Sequence, residues 1–320
     1  MDTSLLLENI SNPALLFFFL GLIAVRLKSD LEIPGTSSKF ISLYLLLAIG
    51  FKGGQELSHA DINAEIIWSL LFGLFAAIIV PFYTFFLLKR KYSIQNAGAI
   101  AATYGSVSAV TFVTTVSFLE LQGLEYGGHM VAVMAIMEAP AIIVGVLLMT
   151  IYNSEPKNKE AMKQPLKHAI TNGSVILIMG SLVIGYLAND SQAEGIRPFT
   201  TDLFKGFLAV FLLDMGISSG RKLQDFLKKG WSSLLFAIII PIVNGTIMAI
   251  ASGLITDVEG NRLLLAILAA SASYIAVPAA MKIAAPEANS SLYLPMALGI
   301  TFPLNITIGM PLYLTIIQSV

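Results

Sequence analysis

Three long stretches without a charged side chain constrain this chain more than any other feature of its sequence. Ile66–Leu88, Ala97–Leu119 and Trp231–Ile255 contain no Asp, Glu, Lys or Arg. A transmembrane helix needs about 20 consecutive, mostly apolar residues, so each stretch is long enough to cross a bilayer. Only 12% of the 320 residues are charged, about half the share found in soluble domains. A soluble fold would have to bury all three stretches in one core, so the sequence predicts an integral membrane protein.

Apolar segments recur along the whole chain. In hydrocarbon every backbone group must be paired within the protein, so only helices or closed barrels can span a membrane. A barrel would show short alternating strands instead of long apolar runs. The sequence therefore predicts an all-α membrane protein of about ten transmembrane helices, at 13–27, 38–54, 64–88, 97–119, 129–152, 169–188, 200–220, 231–255, 262–284 and 290–318.

The basic residues orient these segments. With ten crossings, one set of loops and segment ends holds fifteen Lys and Arg residues and the opposite set holds four. Loops rich in Lys and Arg face the cytoplasm. We therefore expect a multi-pass protein of the bacterial inner membrane with both termini outside. Asp2 and Glu8 precede the first segment where a secretory signal would carry basic residues, so no signal peptide is predicted.

The two halves of the chain resemble each other. Four landmarks recur in the same order at offsets of about 160–168 residues: Gly53–Leu57 with Ser219–Leu223, Pro81 with Pro241, Ala101–Tyr104 with Ala269–Ala272, and Pro140 with Pro303. Each half has five segments, so the second copy enters the membrane from the opposite side. Such inverted repeats are typical of secondary transporters. The predicted division is a first repeat at 1–152, a cytoplasmic linker at 153–168 and a second repeat at 169–320.

Interrupted helices are predicted near the membrane midplane. Gly and Pro weaken helices. Gly105 occurs with serines in the fourth segment, and Pro278 follows serines in its mate, the ninth. Free backbone groups at membrane depth are tolerated only in protein or beside a cavity, and a half-helix start favours an anion. The alternative is that small residues only allow close helix packing. The predicted substrate-binding residues are Gly105, Ser106, Ser108, Ser273, Tyr274, Ile275 and Ala276.

A carboxylate lies in the middle of the fifth segment. Glu138 is about ten residues from either end, too far to reach water easily, and a lone carboxylate there is costly unless it is paired, protonated or bound to a cation. Oxygen ligands suit a hard cation such as sodium. The alternative is a protonated Glu138 that bonds to a neighbouring helix. The predicted sodium ligands are Glu138, Ser108, Thr111, Thr301 and Asn305.

The remaining polar residue types argue against several other kinds of site. The chain has no cysteine, its three histidines are not placed to share a metal, and its net charge of −1 gives no indication of nucleic-acid binding. No organic cofactor is predicted. Lys52 and Asp214 lie on the paired second and seventh segments, where they could form an ion pair or lie separately at the surface.

The chain resembles the sodium-dependent bicarbonate transporter family, which includes cyanobacterial members and related bacterial permeases. The resemblance runs over nearly the whole chain. It is carried by Ile49–Gly54, Gly105–Thr111, Met137–Ala141, Met215–Gly216 and Ala270–Pro278, with Pro286 and Asn289 behind them. It implies a gate domain from the first two helices of each repeat, a core domain from the other three, substrate and sodium in the core, alternating access and a homotrimer.

The chain departs from the cyanobacterial pattern at the two helix breaks. Ser108-Ala109-Val110-Thr111 replaces Ser-Gly-Ser-Thr, and Tyr274-Ile275-Ala276-Val277-Pro278 replaces Asp-Ile-Ser-Gly-Pro. Glu138 stands where those members have Asp. The cation side of the site is thus better preserved than the anion side. This favours a larger or less polar anion than bicarbonate, or a different coupling stoichiometry. The short central linker argues against the cytoplasmic regulatory protein that binds cyanobacterial members.

The leading hypothesis is a sodium-coupled importer of a small anion, bicarbonate or a related carboxylate. The alternatives are a passive channel, a non-transporting membrane sensor and a membrane-embedded enzyme. An intramembrane enzyme would need paired acids or a central histidine, which the sequence does not offer.

Overall fold

A computed structural model describes residues 7, 9–60, 63–152, 171, 173–226 and 231–320 of the chain. Within these ranges the chain is helical and contains no β-strand. The predicted linker at 153–168 lies outside the described residues. Each of the ten predicted apolar segments coincides, in its described part, with one or more helices, and their bounds are as follows.

In the described part of the first half the main helices are α1 (Pro13–Arg26), α2 (Gly35–Ser58), α3 (Ala64–Leu88), α4 (Ile94–Gly105), α5 (Ala109–Gln122) and α6 (His129–Tyr152). The second half forms α7 (Gly173–Leu187), α8 (Asp190–Arg197), α9 (Phe204–Phe226), α10 (Trp231–Ala251), α11 (Glu259–Ala270), α12 (Ala276–Ala284), α13 (Ser290–Leu294), α14 (Phe302–Leu304) and α15 (Met310–Ile317). Two π-helical turns, Pro295–Thr301 and Asn305–Gly309, join α13, α14 and α15 into one C-terminal segment.

Six helical stretches of the described chain are long and apolar enough to cross a membrane: Ala64–Leu88, Ile94–Gln122, His129–Tyr152, Asp190–Leu223, Trp231–Leu254 and Ser290–Ile317. Helices α1 and α7 are also apolar but shorter. The prediction of an all-α integral membrane protein is therefore confirmed at this level.

One predicted connection is helical instead. The sequence placed a loop before the seventh segment at 200–220, but α8 occupies Asp190–Arg197 and a π-helical turn follows at Pro198–Asp202. The reason is local, since Asn189 and Gln192 form a reciprocal pair of capping hydrogen bonds. Such a box satisfies two of the N–H groups that a helix start leaves unpaired. Apolarity alone did not reveal this polar helix.

The helices pack in two groups. Helices α1, α2, α7 and α9 form a four-helix group in which α1 lies along α9 and α2 lies along α7. The larger group contains α3–α6, α10–α12 and the C-terminal segment. Within it α3 packs on α4 and α6, and α10 packs on α11 and the C-terminal segment. Helices α2, α7 and α9 also contact the larger group.

Glycines set the closest helix crossings of the four-helix group. A methyl group on Gly185 would overlap the carbonyl oxygen of Phe51, and one on Gly216 would overlap that of Phe18. Gly54 and Gly21 face these positions from the opposite helices. No hydrophobic driving force brings helices together in a membrane, because lipid tails are as apolar as the side chains. Small residues instead let two helix backbones approach closely and gain packing contacts.

Candidate functional site

The fourth predicted segment breaks at the position expected from its Gly and Ser residues. Helix α4 ends at Gly105, Ser106 is extended, and Ser108 caps the start of α5. The Ser108 hydroxyl accepts a hydrogen bond from the N–H of Thr111 at 3.2 Å. A side chain on Gly105 would overlap Pro81 of α3, so glycine is required there for close packing.

The ninth predicted segment breaks in the same way. Residues 271–275 separate α11 from α12, and α12 begins at Ala276. Pro278 lies in the first turn of α12, where its missing N–H would have no intrahelical acceptor in any case. Pro278 therefore follows the break and does not kink a continuous helix.

Hydrogen bonds tie the two breaks together. The Ser273 N–H donates to the Thr103 carbonyl at 2.8 Å. The Ser108 N–H donates to the Ser271 hydroxyl at 3.0 Å. The Asn305 side-chain amide, from the C-terminal segment, donates to the Ala270 carbonyl at 2.8 Å. The two interruptions therefore face each other in the larger group and are fixed by its own side chains.

A small cavity of about 30 Å³ opens beside the crossing. Its polar lining comes from Ser108, Glu138, Ser273 and Tyr274, and also from Ser42 and Ser174. Its apolar lining comes from both helix groups: Leu45, Leu46, Val107, Ala109, Val110, Val113, Phe211, Ile275 and Ala276. The cavity thus lies between the four-helix group and the larger group.

The starts of α5 and α12 contribute to this cavity. A helix leaves the N–H groups of its first turn without intrahelical acceptors. At α5 these groups belong to Ala109 and Val110, and at α12 the first belongs to Ala276. All three residues line the cavity. Converging N–H groups and helix dipoles make such a place favourable for an anion.

Glu138 lines the same cavity from α6. No described residue forms a hydrogen bond or an ion pair with its carboxylate. Its main-chain carbonyl accepts a bond from the Ser106 hydroxyl at 3.3 Å, which ties α6 to the first break. The described residues include no group of three or more His, Cys, Asp or Glu side chains that could hold a metal, so a cation here would need hydroxyl and carbonyl oxygens beside Glu138.

The structure separates the predicted sodium ligands. Glu138 and Ser108 line the cavity, whereas Thr111, Thr301 and Asn305 do not. The Thr301 hydroxyl donates to the Ala237 carbonyl at 2.8 Å and pairs with the Tyr104 hydroxyl at 2.8 Å. The Asn305 amide holds Ala270, and its Oδ1 atom is buried without a partner.

The predicted substrate residues divide similarly. Ser108, Ser273, Tyr274, Ile275 and Ala276 line the cavity. Gly105 and Ser106 do not: Gly105 packs on α3 and Ser106 bonds to α6.

The ion pair considered between Lys52 and Asp214 does not form. The Lys52 ammonium lies 2.7 Å from Oε1 of Glu120, at the far end of α5. Asp214 instead accepts a hydrogen bond from the hydroxyl of Ser38. The sequence could not predict Glu120 as the partner of Lys52, because the two residues are 68 positions apart and belong to different helix groups.

Glu120 is shared by two lysines. The Lys205 ammonium of α9 lies 3.4 Å from its second oxygen. Lys52, Glu120 and Lys205 also line a second cavity of about 250 Å³, one turn further along α2 and α5 than the first. Tyr126 lies nearby in the loop after α5, and burial together with the carboxylates of Glu56 and Glu120 raises the pKa of its phenol. We call Lys52, Glu120 and Lys205 the ion-pair clasp.

Long apolar helices, two interrupted helices that cross, and a cavity between two helix groups define an integral membrane protein of the transporter class. The sequence model of one family, described as the Na⁺-dependent bicarbonate transporter superfamily, matches residues 13–318. Because this covers nearly the whole chain, the protein belongs to that superfamily, and the predicted resemblance is confirmed. None of the curated proteins matches this sequence.

Proposed function

We propose that the protein is a sodium-coupled importer of a small anion, bicarbonate or a related carboxylate, that works by alternating access. The observation that carries this proposal is the convergence of two half-helix starts and the unpaired carboxylate of Glu138 on one cavity. A charged carboxylate and an anion in one small cavity repel each other, and a cation between them relieves this repulsion. Coupling to sodium supplies that cation as a second transported substrate.

We further propose that all ten segments cross the membrane as two inverted repeats, 1–152 and 169–320. The helix contacts support this arrangement. Gly50 of α2 faces Ile178 and Ser181 of α7, while Gly216 of α9 faces Phe18 and Gly21 of α1. If α1 corresponds to α7 and α2 to α9, a two-fold axis exchanges these two crossings.

The same exchange relates the helices of the larger group. The contacts of α3 with α4 and α6 recur as contacts of α10 with α11 and the C-terminal segment. In this proposal the four-helix group is the gate and the larger group is the core. Substrate and sodium move with the core, and the cavity between the groups opens to one side at a time.

The clasp supports a movable contact between gate and core. Lys52 and Lys205 belong to the gate, and Glu120 belongs to the core. With the basic loops in the cytoplasm, both termini and the clasp lie outside.

We also propose a homotrimer in the bacterial inner membrane, as the superfamily implies.

For sodium we propose Glu138 and Ser108 as ligands at the cavity. Thr111 lies in the first turn behind Ser108. The Thr301 hydroxyl pairs with that of Tyr104 beside the first break, and the Asn305 amide donates to the Ala270 carbonyl at the second. We propose that both residues contribute to the cation site by positioning it.

Sodium-dependent uptake in proteoliposomes tests the proposal. Glu138→Gln keeps the size of the side chain and removes its charge, so we expect sodium-dependent bicarbonate or carboxylate uptake to fall at least about tenfold. The matched control is Glu259→Gln at the start of α11, where the carboxylate accepts a hydrogen bond from Gln318 and lies outside the cavity.

Uptake that ignores both sodium and the Glu138 substitution would refute coupling. Counter-flow separates a carrier from a passive channel or a sensor, because only a carrier shows saturable exchange that substrate on the opposite side stimulates.

A further inference from the structure

The ion-pair clasp lines a cavity much larger than the one at the helix breaks. This outer cavity has a volume of about 250 Å³, against about 30 Å³ for the inner cavity at the breaks. A third cavity of about 270 Å³ shares Lys52, Thr200 and Thr201 with the outer cavity and extends along α8. A single water needs roughly 10–15 Å³ by this measure of volume. The outer cavity therefore has room for a small anion together with several waters.

The outer and inner cavities lie end to end along the same helices. On α2, Leu46 lines the inner cavity and Ile49 the outer one. On α5, Val113 and Val116 are divided in the same way. Residues three apart lie one above the other on one face of a helix. An anion that reaches the helix breaks from the clasp end of α2 and α5 must therefore first pass the outer cavity.

Glu120 occupies both lysines in a way that defines what can replace it. Its Oε1 atom lies 2.7 Å from the Lys52 ammonium, and its Oε2 atom lies 3.4 Å from that of Lys205. The side chains of Lys52, Glu120 and Lys205 are 33%, 27% and 63% exposed, so a solute can reach them. A free carboxylate or bicarbonate presents the same pair of charged oxygens to two ammonium groups, whereas chloride presents a single atom.

The charges around the outer cavity make anion binding a competition with Glu120. Lys52 and Lys205 bring two positive charges, and Glu120 and Asp202 bring two negative ones. Among the described residues Asp202 forms no ion pair with either lysine. Because the lining is balanced, an added anion gains both lysines as partners only where Glu120 has left them. Glu120 is on α5 and the lysines are on α2 and α9, so it leaves them when the two helix groups separate.

We infer that the clasp is an anion-binding site, at which a carboxylate or bicarbonate ion binds Lys52 and Lys205 in place of Glu120 and releases the four-helix group from the larger group. The inference rests on the proposed function and deepens it, because the releasing anion belongs to the class proposed as substrate. A ligand shifts a conformational equilibrium toward the state that binds it more tightly. Here that is the separated state, in which Glu120 no longer occupies the lysines.

The experiment follows the exposure of Val131, which lies between the two helix groups. Val131 on α6 is buried and lines neither cavity, and a methyl group on Gly53 of α2 would overlap its side chain. In a Val131→Cys variant of the otherwise cysteine-free chain, a maleimide reacts only after α2 and α6 separate. The full-length protein is labelled in detergent at constant pH and ionic strength. Potassium salts without sodium are used, and acetate or bicarbonate replaces chloride.

We expect acetate and bicarbonate to speed labelling about twofold to fivefold over chloride, because partly exposed ion pairs shift an equilibrium by no more than this. Glu120→Gln should label at the fast rate already in chloride and no longer respond to acetate, since its lysines are free in both states. Lys205→Gln should lose most of the response, measured relative to its own rate in chloride. The matched control is Lys222→Gln, which is exposed further along α9 and lines neither cavity, and it should keep the full response.

Equal labelling rates in acetate, bicarbonate and chloride, or a full anion response in Lys205→Gln, would overturn the inference. Glu138→Gln separates the clasp from the inner cavity, because Glu138 does not line the outer one. If the response needs sodium and disappears in Glu138→Gln, the anion acts at the inner cavity, so the inference fails and the proposed function stands. If the anions speed labelling but no sodium-dependent uptake is found for any of them, the proposed function fails instead.

Discussion

Gly185 and Gly180 lie on the same helix, α7, in opposite surroundings. A methyl group at Gly185 would overlap the backbone of α2 at Phe51, which cannot move without separating the two helices. A methyl group at Gly180 would meet no atom within 4 Å. Gly185→Ala and Gly180→Ala therefore make the same chemical change, and only the neighbouring helix differs.

The expected magnitudes follow from two opposing terms. Alanine is favoured over glycine in a helix interior by about 1 kcal/mol, and this gain applies to both variants. Overpacking costs about 1–3 kcal/mol and applies only to Gly185. We therefore expect Gly180→Ala to raise the free energy of unfolding by up to about 1 kcal/mol. The free energy of unfolding of Gly185→Ala should be about 1–3 kcal/mol lower than that of Gly180→Ala.

Thermal unfolding of both variants in one detergent, under conditions where unfolding is reversible, measures this difference. Gly216→Ala is a second test, because a methyl group there would overlap the Phe18 carbonyl of α1, and it should behave like Gly185→Ala. If Gly185→Ala and Gly180→Ala stabilise the protein equally, α2 and α7 do not cross as described in the four-helix group.

Two further substitutions test the ends of the bundle. Glu120→Gln should lower the free energy of unfolding by no more than about 1 kcal/mol, because its side chain and that of Lys52 are 27% and 33% exposed. Glu120→Gln should also make the cavity between the two helix groups easier to reach. A cysteine introduced there as Val113→Cys, in the otherwise cysteine-free chain, should then react faster with a maleimide. An unchanged labelling rate would contradict the proposal that the clasp holds the two groups together. Arg262→Met should lower the free energy of unfolding by about 1.5–3 kcal/mol, since the buried guanidinium donates to the carbonyls at the ends of α10 and α15. The exposed Arg197→Met should change it by less than about 0.5 kcal/mol, and equal effects of the two Arg substitutions on the unfolding temperature would refute the capping role.

The sequence by itself determined what depends on neighbouring residues and on the solvent. In hydrocarbon the backbone must form helices or closed barrels, and long uncharged runs favour helices, so the helical segments were predictable from composition along the chain. The two breaks were predictable as well, because Gly105, the serines and Pro278 act within one helical turn of their own position. Only the structure shows that Gly50, Gly54 and Gly216 lie at the closest crossings of the four-helix group.

The tertiary structure decided which distant groups meet. Glu120 follows an apolar segment, as many surface acids do, and nothing in its neighbourhood indicates that two lysines from other helices share it. Thr301 and Asn305 were reasonable oxygen ligands by residue type, yet helix packing directs their side chains to Ala237 and Ala270. Periodicity and propensity act within a few residues, whereas a site forms where side chains far apart in the sequence come within about 3 Å of one another.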